Sequence, residues 1–295
     1  MIHMTGNRFH IIPKMYLKLF ADIMGRKNKH VIYQIDKETR RKTPSDRIPI
    51  DDIQIGARWN PDVETSIVEE IETSALRCIK KLEDVEVGLN NTRLFSLDIR
   101  DVIHLMLRVI SASEFERNVK NVAALKKTFL SPLLNEPTQQ SLMTTYTTAT
   151  ATLCFKFKWN MWSSPVPVFF TSDAPFGYEG LEFIPCYISE THQKQENMVI
   201  IEKGAFVYGP LSPRFYVYGI VDEESIGNEK KLLPNKYGVV NDDLVKLLNG
   251  LTIKNAKKYL YWGYNNMKPI IQAMQMNSTN RDAFIEYISN HQGKM

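Results

Sequence analysis

The spacing of apolar residues changes near residue 155, and that change constrains the fold more than any other feature of the chain. Before it, apolar side chains recur at three- and four-residue steps, the repeat of a helix face. Over 63–82 that face is Ile67, Ile71, Ala75, Cys78 and Leu82, widened by Val68 and Ile79. Over 97–117, Val102, Ile103, Leu105, Met106, Leu107, Val109, Ile110 and Ala112 cover most of the circumference, which marks a largely buried helix. The run from Thr138 to Thr152 keeps helical spacing at Leu142, Met143, Tyr146 and Ala149, and is read as a helix despite its β-branched content. After residue 155 the pattern becomes short β-branched and aromatic runs broken by Gly and Pro, at 154–159, 166–171, 182–187, 198–201, 204–209 and 215–221. Two helices are expected to close the chain, at 241–261 and 279–290. Nearer the start, a helix follows Pro13, 31–35 reads as a strand, and 36–52 reads as a polar loop.

The expected class is α+β: a helical N-terminal half, a centre of short, mostly antiparallel strands, and C-terminal helices. One domain over 1–295 is expected, with a helical part at about 1–153, a strand-rich part at about 154–222 and closing helices at about 241–290.

With 43% apolar and 24% charged residues, the chain is not of the disordered class, and its length permits a sizeable core. A net charge of +4 and a pI of about 8.7 permit an anionic partner without requiring one. Cys78, Cys154 and Cys186 are odd in number and form no CxxC pair, which argues against a zinc ribbon and a disulfide framework. Three reduced, buried thiols are expected. No run approaches the ~20 apolar residues of a membrane span, and Met1–Arg8 lacks the apolar stretch of a signal peptide. A soluble, cytoplasmic protein with no membrane partner is expected.

Two segments stand out as places for chemistry. His10 precedes Pro13 by three residues, and proline is tolerated in a first helical turn, where its missing N–H has no intrahelical partner. His10 is thus expected just ahead of a helix that buries Tyr16, Leu17 and Phe20. Downstream, an apolar run through Phe169 and Phe170 delivers Thr171, Ser172 and Asp173, then breaks at Pro175. Two helices add polar groups. Glu72 lies about 20° from Ile79 on a helical wheel, at the rim of the apolar face. Asp101, His104, Arg108 and Ser111 form one narrow polar stripe on the otherwise apolar 97–117 helix. Such a stripe needs partners, because an unpaired buried charge costs several kcal/mol. It either lies along a solvated or ion-paired edge or lines a polar pocket.

These residues, in this order, resemble the bacterial and phage domain-of-unknown-function family numbered 4238. Its opening His-x-x-Pro-x-x-Tyr-Leu-x-x-Phe is matched by His10, Pro13, Tyr16, Leu17 and Phe20. An Ile-Glu pair is matched by Ile71 and Glu72, and a buried helical arginine by Arg108. Phe-x-Thr-Ser-Asp-x-Pro is matched by Phe169, Thr171, Ser172, Asp173 and Pro175, and a Pro-Leu-Ser-Pro turn by Pro210 to Pro213. A late Asn and Ala are matched by Asn249 and Ala256. The chain departs from the family where Val109-Ile110 stands for Thr-Pro after the arginine, and where Ala174 stands for Asn. Some members resemble stand-alone antiphage defence genes, so the resemblance implies a defence effector.

Familiar phosphate loops, GxGxxG, HExxH and GxSxG are absent. The dispersed set suits a nuclease or other phosphodiesterase. His10 would transfer protons near neutrality. Arg108 would stabilise charge developing on phosphate. Glu72 and Asp173 would orient His10 or hold a divalent cation such as Mg. Tyr16, His104 and Ser172 would contribute to binding. The bland alternatives are a His10 that caps a helix and a Ser172-Asp173 turn that bonds the local backbone. A second function class is a binding module for nucleic acid or a phage component. Its aromatic surface would be Tyr208, Phe215, Tyr216, Tyr218, Trp262 and Tyr264, residues that otherwise belong in a core. A Ser172 hydrolase would need a nearby base and oxyanion donors, and no nucleophile elbow is present. Convergence of His10, Glu72 and Asp173 in one cleft would separate enzyme from binding module.

Overall fold

A computed structural model describes residues 12–24, 29–39, 48–53, 71–83, 100–110, 153, 156–183, 199–221, 236–263 and 281–291. His10, Ser111, Cys154, Cys186, Tyr264 and the helix expected over Thr138 to Thr152 lie outside these residues.

Pro13 takes the N-cap of the first helix, α1 (Lys14–Leu19), and its carbonyl accepts from Leu17 N at 3.1 Å. The helix buries Tyr16 and Leu17 completely, and Phe20 beyond its end. The described part of the expected 63–82 helix is α2 (Thr73–Glu83), with Ile71 and Glu72 in a helical turn ahead of it. The described part of the 97–117 helix, α3, covers 100–110. All of Val102, Ile103 and Leu105 to Ile110 are buried there, the charged Arg108 included.

The strands form two sheets. In the first, β1 (Asp22–Met24), β2 (Lys29–Asp36), β10 (Tyr259–Trp262) and β5 (Thr171–Ser172) lie side by side, and β3 (Ile48–Pro49) also pairs with β2. Every pairing in it is antiparallel. The second sheet runs β6 (Gly177–Phe183), β7 (Val199–Pro210), β8 (Phe215–Val221), β4 (Phe157–Ser163), β9 (Lys236–Val239), antiparallel except for the β4–β9 pair. Two closing helices follow, α4 (Asp242–Asn255) and α5 (Arg281–His291). The architecture is α+β, with helices flanking a mostly antiparallel centre.

One core joins α1, α2 and α3 to the second sheet through Tyr16, Ile79, Ile103, Trp159, Val207 and Phe215, and reaches Tyr261 of β10. A second packs Phe169 and the β4, β7 and β8 aromatics against Leu244, Leu248 and Leu251 of α4 and Phe284 of α5. A smaller third sets Ile35, Phe170, Leu260 and Trp262 around Ala256.

Several expectations change. The segment 36–52, expected as a polar loop, carries β3 and a 3-10 turn at Ile50–Asp52, and the strand expected at 182–187 begins at Gly177. Segments 198–201 and 204–209 are one strand, β7, because Gly204 (φ 70°) lets the chain kink without leaving the sheet. Its partner β6 answers with Gly180 (φ 68°) at a register shift between Glu179 and Leu181. The expected 166–171 strand is an extended segment in which only Thr171 is part of a ladder, while Val168 N and Phe169 N both donate to Pro213 O. The expected 241–261 helix stops at Asn255 and gives way to β10.

Candidate functional site

The residue that stops α4 is Asp173. In a continuing helix the N–H groups of residues 257–259 would turn back onto carbonyls four residues earlier. Here they meet a carboxylate instead. Asp173 Oδ1 accepts from Lys257 N at 2.8 Å, and Oδ2 from Lys258 N at 2.8 Å and Tyr259 N at 3.1 Å. The Asp173 backbone N–H donates to Tyr259 O at 3.0 Å, extending the β5–β10 pairing by one bond. Asp173 is 4% exposed. Burial pushes its carboxyl above the ordinary range, and the three N–H donors and the Lys257 charge oppose that shift.

Neighbouring ties lock the same segment. Ser172 is fully buried, and its Oγ accepts from Ala174 N at 3.2 Å, an ST turn. Among the described residues no carboxylate or histidine contacts that oxygen. Tyr16 Oη donates to Pro210 O at 2.6 Å and lies 3.0 Å from Thr171 Oγ1, which must therefore donate in return. Burial pushes the Tyr16 phenol far above its ordinary value, with Thr171 partly opposing, so it remains a donor. Asn255 Nδ2 spans the carbonyls of Ala174 and Phe176, and Asn249 Nδ2 donates to Val168 O at 2.9 Å. The Lys37 ammonium meets Ala256 O at the end of α4. Another family-like segment, the Pro210–Pro213 turn, is tied to α2: Ser212 Oγ bonds Glu83 Oε1, and Arg214 Nη1 lies 3.6 Å from Glu83 Oε2.

The second polar centre is the seam between α2 and α3. Glu72 Oε1 lies 2.8 Å from Arg108 Nε, with side chains only 5% and 6% exposed. Farther along, Ser74 Oγ donates to Asp101 Oδ2 at 2.6 Å, and Cys78 Sγ lies 3.8 Å from the same oxygen. As α2 advances from 72 to 78, its partner on α3 moves back from 108 to 101, so the two helices run antiparallel. Burial raises the Glu72 pKa, and the Arg108 charge and hydrogen bonding oppose it. Between the two ties sits His104, half-buried. Its Nε2 is shielded from solvent and has no hydrogen-bond partner among the described residues. Burial, then the Arg100 charge, lower the His104 pKa, with Asp101 opposing, so the ring is neutral near pH 7.

The candidate residues thus fall into two groups. Tyr16, Ser172 and Asp173 belong to the knot around β5 and the end of α4; Glu72, Arg108 and His104 belong to the helix seam. No hydrogen bond or ion pair joins Glu72 to Asp173 among the described residues, and His10 lies outside them. No group of three or more His, Cys, Asp or Glu side chains among the described residues is placed to hold a metal ion. Tyr208, Phe215, Tyr216, Tyr218 and Trp262 are at most 3% exposed and form core, as the bland alternative has it. Glu83, Arg214 and Asn255 were not singled out from sequence, and each pairs with a residue far along the chain, which leaves no local signal. Lys37 belongs to the run Lys37, Arg40, Arg41 and Lys42, whose composition reads as a solvated face. Among the described residues no helix is long and apolar enough to cross a membrane.

No curated protein and no solved structure matches the chain. Its match across residues 8–263, from Arg8 to the glycine that follows β10, places the chain in the family described as Protein of unknown function (DUF4238).

Proposed function

We propose that this protein is an antiphage defence effector that acts in the cytoplasm on nucleic acid, cleaving phosphodiester bonds at a His/acid site centred on Glu72 and Arg108. His10 belongs to the same proposed site. The observation that carries the proposal is the buried Glu72–Arg108 pair at 2.8 Å. A buried ion pair is often no more stabilising than well-packed apolar residues of similar volume, so stability alone gives little reason for one. Its chemistry suits phosphoryl transfer. A guanidinium held by a carboxylate presents directed donors to charge developing on phosphate. A carboxyl raised by burial is poised to exchange a proton. Asp173 then serves as a positioning residue, since both of its oxygens are engaged by backbone N–H groups.

The test is RNA and DNA integrity in phage-infected cells carrying wild type or the double variant Glu72→Leu/Arg108→Met at equal abundance. Cleavage fragments with wild type alone are expected, and purified protein should reproduce them. Protection by wild type with both nucleic acids intact overturns cleavage and leaves recognition of a phage component as the function.

A further inference from the structure

We propose that His104 is the proton-transfer group of the α2–α3 seam, taking a proton through Nε2 from the water or hydroxyl that attacks a phosphodiester. The proposal rests on the phosphodiesterase function proposed above. Three residues of one α3 face, Asp101, His104 and Arg108, line the seam. The outer two are tied to α2, Asp101 by Ser74 and Cys78 and Arg108 by Glu72. The middle one is not. On α2, the residues between Ser74 and Cys78 include Ala75 and Leu76, both buried and apolar, which offer an imidazole nothing. His104 is therefore held by anchored neighbours one helical turn to either side, while its own shielded Nε2 lacks a partner.

An unmade hydrogen bond at a buried polar atom destabilises the fold, and a ligand that brings its own hydroxyl removes that cost. Among the described residues, the other shielded atoms without a hydrogen-bond partner, apart from the ion-paired Glu72 Oε1 and Arg108 Nε, are Trp162 Nε1, Trp262 Nε1, Asn249 Oδ1 and His30 Nδ1. The indoles and the amide do not titrate near neutrality, and His30 lies on β2 rather than in the seam. Among the described residues, only His104 combines an unpartnered ring nitrogen with an arginine and a carboxylate along one helix pair. Among the described residues, the charges that act on His104 are those of Arg100 and Asp101, and the other charged or titratable groups tied at the seam are Arg108 on α3 and Glu72 and Cys78 on α2. In the step, Nε2 of the neutral ring takes the proton of the attacking O–H as that oxygen forms its bond to phosphorus. The bond from phosphorus to the leaving oxygen breaks, water protonates that oxygen, and the imidazolium returns its proton to the hydroxide so formed. Arg108 sits one turn away to receive the phosphate charge.

The test uses the purified full chain and labelled single-stranded RNA and DNA oligonucleotides, comparing wild type, His104→Gln and Glu72→Leu/Arg108→Met across pH. The expected result for His104→Gln is a kcat loss of about 100-fold or more with little change in KM, and loss of the acidic limb of the rate profile. Added imidazole should restore part of the rate to His104→Ala. If His104→Gln keeps its rate and acidic limb while the double variant is inactive, His104 is overturned and the seam survives. If the double variant cleaves like wild type, the seam itself falls. A binding readout decides the matter apart from turnover: the His104 Nε2 resonance should move on adding a phosphorothioate oligonucleotide. A resonance that stays put overturns the proposal, whether or not cleavage is seen.

Discussion

At the scale of single residues, Asp173 shows how one side chain decides a chain's course. Its carboxylate takes three backbone N–H groups that a helix would otherwise use. Asp173→Asn keeps one acceptor oxygen and turns an amide N–H₂ toward at least one of those donors. The expected loss is on the order of 2–3 kcal/mol, since hydrogen bonds to charged groups are the strong ones. Thermal unfolding should register it as a clear drop in Tm. An unchanged Tm with lost protection would instead make Asp173 a chemical group. Tyr16→Phe tests the same knot from the other side. It leaves Pro210 O and Thr171 Oγ1 without the phenol, at a cost of about 1–2 kcal/mol. Denaturant unfolding should show a lower midpoint with an unchanged slope, and a midpoint equal to wild type would mean that water replaces the phenol. The sequence marked both residues through the family-like motif, but could not say whether the motif was chemistry or scaffold. The difference lies in partners 86 and 194 residues away along the chain.

At the scale of elements, what the sequence told depended on whether an element's cause was local. Over the described residues the periodic faces of α2 and α3 are buried, Ile71 only partly, because a helix's apolar spacing is a property of the segment alone. The end of α4 was missed for the opposite reason. Apolar residues continue past Asn255 at helical spacing, no Gly or Pro intervenes, and the stop comes from Asp173 across the fold. β7 was divided because Glu202-Lys203-Gly204 has the composition of a turn, whereas in the sheet Gly204 only kinks the strand. The seam was half legible. Glu72 and Arg108 were each singled out, but not their meeting, which depends on how two helices pack. Its energetics can be tested as a unit. Removing one partner strands a buried charge and should cost about 3–5 kcal/mol, whereas Glu72→Leu/Arg108→Met together should be neutral or stabilising. The pH dependence has a defined sign. Burial holds the Glu72 folded-state pKa above its ordinary 4.5, so its contribution favours folding below about that pH and is lost as pH rises through the raised value. Urea midpoints across this range should therefore fall for wild type relative to the double variant, and parallel curves would show that Arg108 cancels the burial effect.

At the scale of the whole molecule, buried phenols report whether the chain unfolds as one. Tyr16 in α1, Tyr208, Tyr216 and Tyr218 in the second sheet and Tyr261 in the first all have hydroxyls raised by burial, that of Tyr218 to about 12. In the unfolded chain each ionises near pH 10. Folding stability from these groups is complete below that pH and is lost as pH climbs from 10 toward the raised values. Each contributes a slope of about 1.4 kcal/mol per pH unit, and five together approach 7 kcal/mol per unit. Against a total stability of about 5–15 kcal/mol, the fold should collapse within one to two units above pH 10. Tyr16 and Tyr261 lie in the first core and Tyr208, Tyr216 and Tyr218 in the second, and both cores draw on β7 and β8, so the five phenols should ionise together. Phenolate absorbance should contain a single cooperative step that coincides with loss of circular dichroism. Two separated steps, with the first leaving the second sheet intact, would mean that the chain is two independent units and would overturn the single domain expected from the sequence.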